Sequence, residues 1–189
     1  MRPFTVILDS CVLYPARLRS LLLYLGRTEL FWARWTADIH EEWIRAFLSN
    51  YPDKTRADAD RIRKLVDAAG LDPLVSGYSA IAQSLVLPDP NDRHVVAAAI
   101  VGDADAIVTF NLADFPDAVL RGHDLEAIHP DDFLICQFEL SPEGFLDAVR
   151  RDRGSLKNPP LSPAEYVTAL ERSQLPKTAA LLRVHLDAI

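Results

Sequence analysis

Phe4-Thr5-Val6-Ile7-Leu8-Asp9 is the stretch on which the reading of this 189-residue chain turns. Five apolar or β-branched residues in a row are too few for a helix and fit a strand buried on both faces, the kind found in parallel sheets. The run is closed by an aspartate. A carboxylate at the mouth of an apolar strand needs partners to offset its lost hydration. Open parallel sheets form their sites outside the carboxyl ends of their strands. Asp9 is therefore where chemistry is expected.

Working outward, Leu18, Leu21, Leu22 and Leu25 recur at helical spacing after Pro15, and Gly26 offers a stop. Thr36 fits an N-cap for a helix to about Leu48, with Ile39, Trp43, Ala46 and Phe47 inward. Thr55–Ala69 reads as an amphipathic helix with Ile62, Leu65 and Val66 inward. Leu74-Val75 reads as a short strand and Tyr78–Leu85 as a helical stretch. The turn Pro88-Asp89-Pro90-Asn91-Asp92 delivers an N-cap to an apolar helix through Val101. Strands are expected at Ala106–Thr109 and Leu125–Ile128, and a short helix at Asp131–Phe138. This alternation predicts an α/β fold, a doubly wound parallel sheet with helices on both faces.

The remainder is helical. Pro142 opens a helix to about Arg153, a proline-rich loop follows, and Ser162-Pro163-Ala164-Glu165 has the cap, proline and acid of a helix start. Two short helices, 164–173 and 176–187, complete it. The expected division is a sheet domain over 1–138 and a helical C-terminal extension over 139–189.

Composition narrows the class. The chain is 49% apolar, enough for one good core. No apolar run approaches a membrane span, and Asp9 interrupts the first apolar stretch, so no membrane association and no cleavable signal peptide are expected. Cys11 and Cys136 fit neither a disulfide framework nor a zinc site and read as small buried hydrophobes. A reduced cytoplasmic protein is expected. The net charge is −7, but it is uneven. Residues 1–149 hold 13 basic and 23 acidic side chains, a balance of −10, and residues 150–189 hold 7 and 4, a balance of +3.

Four acids lie where such a fold can aim them at one point: Asp9, Glu42, Asp92 and Asp114. Each has a plain reading: Asp92 as an N-cap, Asp114 as a turn residue, Glu41 and Glu42 as solvated helix charges. Together they repel unless a cation sits between them. Hard oxygen ligands favour Mg²⁺ or Mn²⁺, and the constellation suits metal-assisted phosphodiester hydrolysis. The histidines show no zinc spacing. His94, beside Asp92, reads as a capping-turn residue rather than a base, and no glycine-rich phosphate loop exists. Ser10 lacks the elbow motif of a nucleophile.

The motifs Asp9-Ser10-Cys11-Val12-Leu13-Tyr14-Pro15, Trp35-Thr36 with Glu42, Leu87-Pro88-Asp89-Pro90-Asn91-Asp92-Arg93-His94-Val95, and Ile107-Val108-Thr109-Phe110-Asn111-Leu112-Ala113-Asp114-Phe115-Pro116, in that order, resemble the PIN-domain ribonucleases. The match is to VapC-type toxins of bacterial toxin–antitoxin pairs that carry a helical C-terminal extension. The resemblance implies a PIN-like parallel sheet flanked by helices, with an acidic Mg²⁺ or Mn²⁺ site that cleaves RNA. It places catalytic roles on Asp9, Glu42, Asp92 and Asp114, with Asp9, Asp92 and Asp114 holding the metal. Asp89, Thr109, Asn111 and Ser10 are auxiliary. Many relatives have Asp where Asn111 stands.

The implied partners are an RNA substrate and a cognate antitoxin, and a homodimer is left open. The alternatives are a non-catalytic RNA-binding PIN module and a PIN nuclease of RNA processing without an antitoxin. In the basic tail, Arg150, Arg151, Arg153 and Lys157 are the candidates for contact with RNA or antitoxin.

Overall fold

The computed structural model describes residues 3–189. Four parallel strands, β1 (Thr5–Leu8), β2 (Trp32–Arg34), β3 (Ala106–Val108) and β4 (Glu126–Ile128), lie in the order β2-β1-β3-β4. β1 is central: Val6 stands opposite Ala33 on one side and Ala106 on the other, and its four residues are all buried. An apolar run with no polar alternation can be satisfied only there.

The helices are α1 (Ser10–Leu13), α2 (Ala16–Gly26), α3 (Ala37–Asn50), α4 (Arg56–Ala69), α5 (Ser79–Ser84), α6 (Arg93–Val101), α7 (Asp117–Leu120), α8 (Pro130–Leu140), α9 (Pro142–Ser155), α10 (Pro163–Arg172) and α11 (Pro176–Arg183). α2 buries the four leucines its spacing marks. Thr36 caps α3 by accepting the Ile39 N–H at 3.0 Å. Thr55 and Asp58 close a reciprocal capping box on α4, which satisfies two otherwise unpaired N–H groups at the helix start. α6 is buried from Val95 to Ala99 and packs on β1 and β3.

Several expectations are corrected. β2 was not anticipated. It is a three-residue edge strand in which Trp32 is half exposed, so it presents no continuous apolar run. Leu74-Val75 is not a strand; Leu74 makes only an isolated bridge to Trp35. Leu65 does not face inward but is 67% exposed, the core face of α4 being Ala59 and Val66. Ala46 is exposed, and α3 instead buries His40 and Ile44 beside Ile39 and Trp43. Cys136 is exposed, and Cys11 is only partly buried.

The helical tail shares the core of the sheet domain. Phe145, Val149, Tyr166, Leu170 and Leu182 join one continuous apolar cluster with β1 and α2. Two buried aspartates fasten the seam. Asp152 of α9 accepts hydrogen bonds from Ser20 of α2 and from Tyr166 of α10. Asp131 of α8 accepts the Thr178 N–H at 2.8 Å, its hydroxyl at 2.7 Å and the Lys177 N–H at 2.8 Å. α8 runs unbroken through residue 138, carrying the chain from the sheet domain into the tail.

Candidate active site

The ladder extends one residue beyond the strands. The Asp9 N–H donates to the Val108 carbonyl at 3.1 Å, and the Thr109 N–H to that of Ile128 at 3.0 Å. Asp9 and Thr109 are thereby side by side at the carboxyl edge of the sheet. The Thr109 hydroxyl donates to Asp9 Oδ2 at 2.7 Å. The Ser10 N–H donates to Oδ1 at 2.6 Å, and the Cys11 thiol to Oδ2 at 3.2 Å. A buried carboxylate with donors on both oxygens is fixed in one orientation. Burial and the charge of Asp9 push the Cys11 thiol up to about 12, so it serves as a donor and not as a nucleophile.

Asp92 arrives from the other side. The expected N-cap is not made by this residue: Asp89 accepts the Asn91 N–H at 2.8 Å, while the Asp92 side chain caps nothing. Its carboxylate is left for the site. Partial burial and then the charges of Asp9, Asp89, Asp114 and Glu42 raise its pKa to about 6. That all four act on one group shows that residues far apart in sequence converge in space. Asp114 closes a short helical turn, Leu112–Asp114, after β3.

Glu41 and Glu42 separate cleanly. Glu41 is engaged outward by Arg56 through two hydrogen bonds of 2.6 and 2.8 Å. Glu42 accepts from His94 Nε2 at 2.7 Å. His94 is therefore not a mere turn residue, as the sequence suggested, but the partner of Glu42. Burial alone would lower its pKa; the Glu42 hydrogen bond and the carboxylates of Glu42, Asp38 and Asp9 outweigh that and raise it. No local signal joins residues 52 positions apart, so this pair was unreadable from sequence.

These elements border a cleft of about 650 Å³. Ser10, Tyr14, Glu42, Phe110 and Asn111 line it, as do Arg172, the last residue of α10, and Ser173 and Gln174 of the turn that follows. The tail residues marked in the sequence lie elsewhere. Arg150 and Arg151 pair with Asp147, and Arg153 donates to the Leu161 carbonyl at 2.8 Å; neither they nor Lys157 line the cleft. The cleft-lining tail residues were missed because a single arginine at a helix end carries no pattern.

Among the described residues, no group of three or more His, Cys, Asp or Glu side chains is placed to hold a metal ion as the side chains stand. The donors present are carboxylates that repel one another, one of them with a strongly raised pKa. Such a set fits a hard divalent cation that keeps several waters and needs few direct protein ligands.

A parallel sheet that gathers acids from separate elements at its strand ends defines a PIN-type domain. Residues 5–113, more than half of the sequence, match the family profile described as "PIN domain", and the chain belongs to that family. Residues 130–184 match the profile described as "VapC50 C-terminal domain". A protein of Mycobacterium tuberculosis named "Putative ribonuclease VapC50" is 40% identical over 92 residues, covering 49% of this chain and 54% of that protein. The aligned part thus spans about half the length of that relative. No solved structure gives a significant match. Among the described residues no helix is long and apolar enough to cross a membrane.

Proposed function

We propose that the protein is a divalent-metal-dependent endoribonuclease, the toxin of a toxin–antitoxin pair. The observation that carries this reading is the convergence of Asp9, Glu42 and Asp114 on Asp92, whose pKa their charges help raise to about 6. Uncompensated like charge is costly for folding and is retained where function needs it. The relative's printed name and the family match support the same reaction.

Asp9, Asp92 and Asp114 would hold Mg²⁺ or Mn²⁺. When bound, the ion supplies the charge that acidifies a water and neutralises a phosphate. The protein's own groups do the rest. Thr109, Cys11 and the Ser10 N–H lock Asp9 in orientation. His94 holds Glu42, which orients water at the edge of the acid group. Asp89 shapes the turn that frees Asp92. Asn111 and Ser10 border the substrate cleft. A cognate antitoxin would cover this cleft with an Arg or Lys, since a guanidinium fork suits paired carboxylates.

The test is incubation of purified wild type and Asp9→Asn with cellular RNA in Mg²⁺ or Mn²⁺, followed by sequencing of the cleaved ends. Defined cuts by the wild type, abolished by EDTA and by Asp9→Asn, are expected. Equal cleavage by Asp9→Asn, or full cleavage in EDTA, would overturn the assignment.

A further inference from the structure

The cleft has two chemically different ends. One carries Glu42, with the other three acids close by. The other is built by the tail: Arg172, Ser173 and Gln174. Arg172 is exposed, and among the described residues its guanidinium makes no ion pair or hydrogen bond. Its neighbour Glu171 does not compete for it, because Glu171 pairs with Arg183. Among the residues that line the cleft, Glu42 is the acid and Arg172 the base, and Glu42 is engaged by His94 rather than by Arg172.

The turn that carries it is rigid. The Ser173 N–H donates to the Leu170 carbonyl at 2.9 Å and the Gln174 N–H to that of Glu171 at 3.1 Å. The Ser173 hydroxyl donates to the Ala169 carbonyl at 3.0 Å. Gln174 sits at φ 63°, and the chain then drops into the core through fully buried Leu175. A left-handed residue followed by a buried anchor fixes where Arg172 begins. Arg172 also borders a second groove, of about 400 Å³, that runs along α10 past Thr168 and Ala164. It therefore stands where the two meet.

We propose that Arg172, with Ser173 and Gln174, is a phosphate-binding subsite for single-stranded RNA, placed by the helical tail beside the acid group. The inference rests on the ribonuclease reading. A strand whose scissile phosphate lies at the carboxylates must lay its next phosphates along the adjoining cleft, whose lining besides Glu42 and Arg172 is neutral. Those phosphates have no cation of their own unless a side chain supplies one. An arginine supplies it with directional donors and is always charged. The half-buried rings of Tyr14 and Phe110 on the same cleft offer faces on which bases stack. At Arg172 a phosphate is attracted and a second cation repelled, so this end of the cleft suits the polyanion while the acids remain for a cation. The tail would thereby govern how the strand is threaded.

The test measures binding of a fluorescent 12-nucleotide mixed-sequence single-stranded RNA across a salt series, with Asp92→Asn present throughout to prevent cleavage. Adding Arg172→Glu should weaken binding by roughly tenfold and flatten the log–log salt slope by about 0.7, the share of one phosphate contact. Arg172→Lys should retain most of the affinity. In the otherwise wild-type enzyme, Arg172→Glu should raise KM with little change in kcat. Unchanged affinity and slope in Arg172→Glu would overturn the subsite. Absence of cleavage by the wild type would instead sink the nuclease reading, and the binding arm would still report on Arg172.

Discussion

Two places in this molecule hold aspartates out of full contact with water, and they differ in whether every acid is given partners. At the seam between the sheet domain and the tail, Asp152 lies fully buried between Ser20 and Tyr166, and Asp131 receives three donors from the start of α11. Donors surround each acid at this seam. At the strand ends, Asp9 is similarly held, but Asp92 faces the charges of four other acids with no side-chain cap to make. Asp92 stays in a field that opposes its own ionisation. The seam uses carboxylates as hydrogen-bond acceptors to join helices. The strand ends accumulate repulsion, which on the proposed reading an added cation relieves. The difference supports placing the proposed site at the strand ends: a fold can be held together by satisfied acids, but it has no structural reason to gather unsatisfied ones.

The sharpest way to break that contrast is to neutralise one acid on each side. Asp92→Asn should cut RNA cleavage by about a hundredfold or more, the scale on which a lost electrostatic group acts in a transition state. It should also leave the metal-free melting temperature unchanged or higher, since one repulsive charge is gone. Mn²⁺ should raise the melting temperature of the wild type and shift Asp92→Asn much less. A clear loss of metal-free stability in Asp92→Asn would mean that the acid is structural after all.

At the seam the outcome should reverse. Asp152→Ala removes the acceptor of two buried hydroxyls and should cost about 3 kcal/mol. Thermal denaturation should show a fall of roughly 6–12 °C. Cleavage measured well below the new melting point should persist, because Asp152 lies outside the acid group. Loss of cleavage equal to that of Asp92→Asn, in still-folded protein, would erase the distinction between the two regions.

Acidity sharpens the comparison further. Burial raises the pKa of Asp152 above its ordinary value, although the Ser20 and Tyr166 hydrogen bonds and the charge of Arg17 pull it back. A folded-state pKa above the unfolded one means that the native protein holds the proton longer. Stability associated with Asp152 is then full below the unfolded value of about 3.9 and falls as pH rises through the folded value. Asp152→Asn has no such proton to lose. The stability difference between wild type and Asp152→Asn should therefore move against the wild type as pH rises from about 4. Chemical denaturation at stepped pH measures it, and a difference that moves the opposite way would show that the hydrogen bonds outweigh burial.

The fold was legible where local patterning and burial coincide. Thr5–Leu8, the leucine face of α2, the caps at Thr36 and Ser162 and the helix begun at Thr55 all stand where the sequence puts them. β2 was not legible, because an edge strand of three residues with a half-exposed tryptophan carries no period-two signal. Leu65 misled because a helical stripe does not say how wide the covered face is. Within the candidate site, Asp9 and Asp92 carry a local signal in the sequence, since each follows an apolar run or a proline turn. The His94–Glu42 pair and the Arg172 turn carry none, since they exist only once distant elements pack.

The smallest expected effect lies on α9. The sequence marked Arg150, Arg151, Arg153 and Lys157 as one basic cluster for RNA or antitoxin, and that contact remains a proposal. Arg150 and Arg151 share Asp147, so two positive charges are half offset on their own helix. Arg153 is bent back onto the Leu161 carbonyl. What remains is an exposed and partly neutralised surface away from the cleft, where salt screens charges over about a Debye length of 10 Å. Arg150→Glu should accordingly weaken binding of the same 12-nucleotide RNA by less than about threefold, as expected of a peripheral phosphate contact. It should leave the melting temperature nearly unchanged, because exposed ion pairs add little stability. An effect equal to that of Arg172→Glu would move the RNA path off the cleft and onto α9. A null result for RNA alongside weakened antitoxin binding would assign this helix to the protein partner.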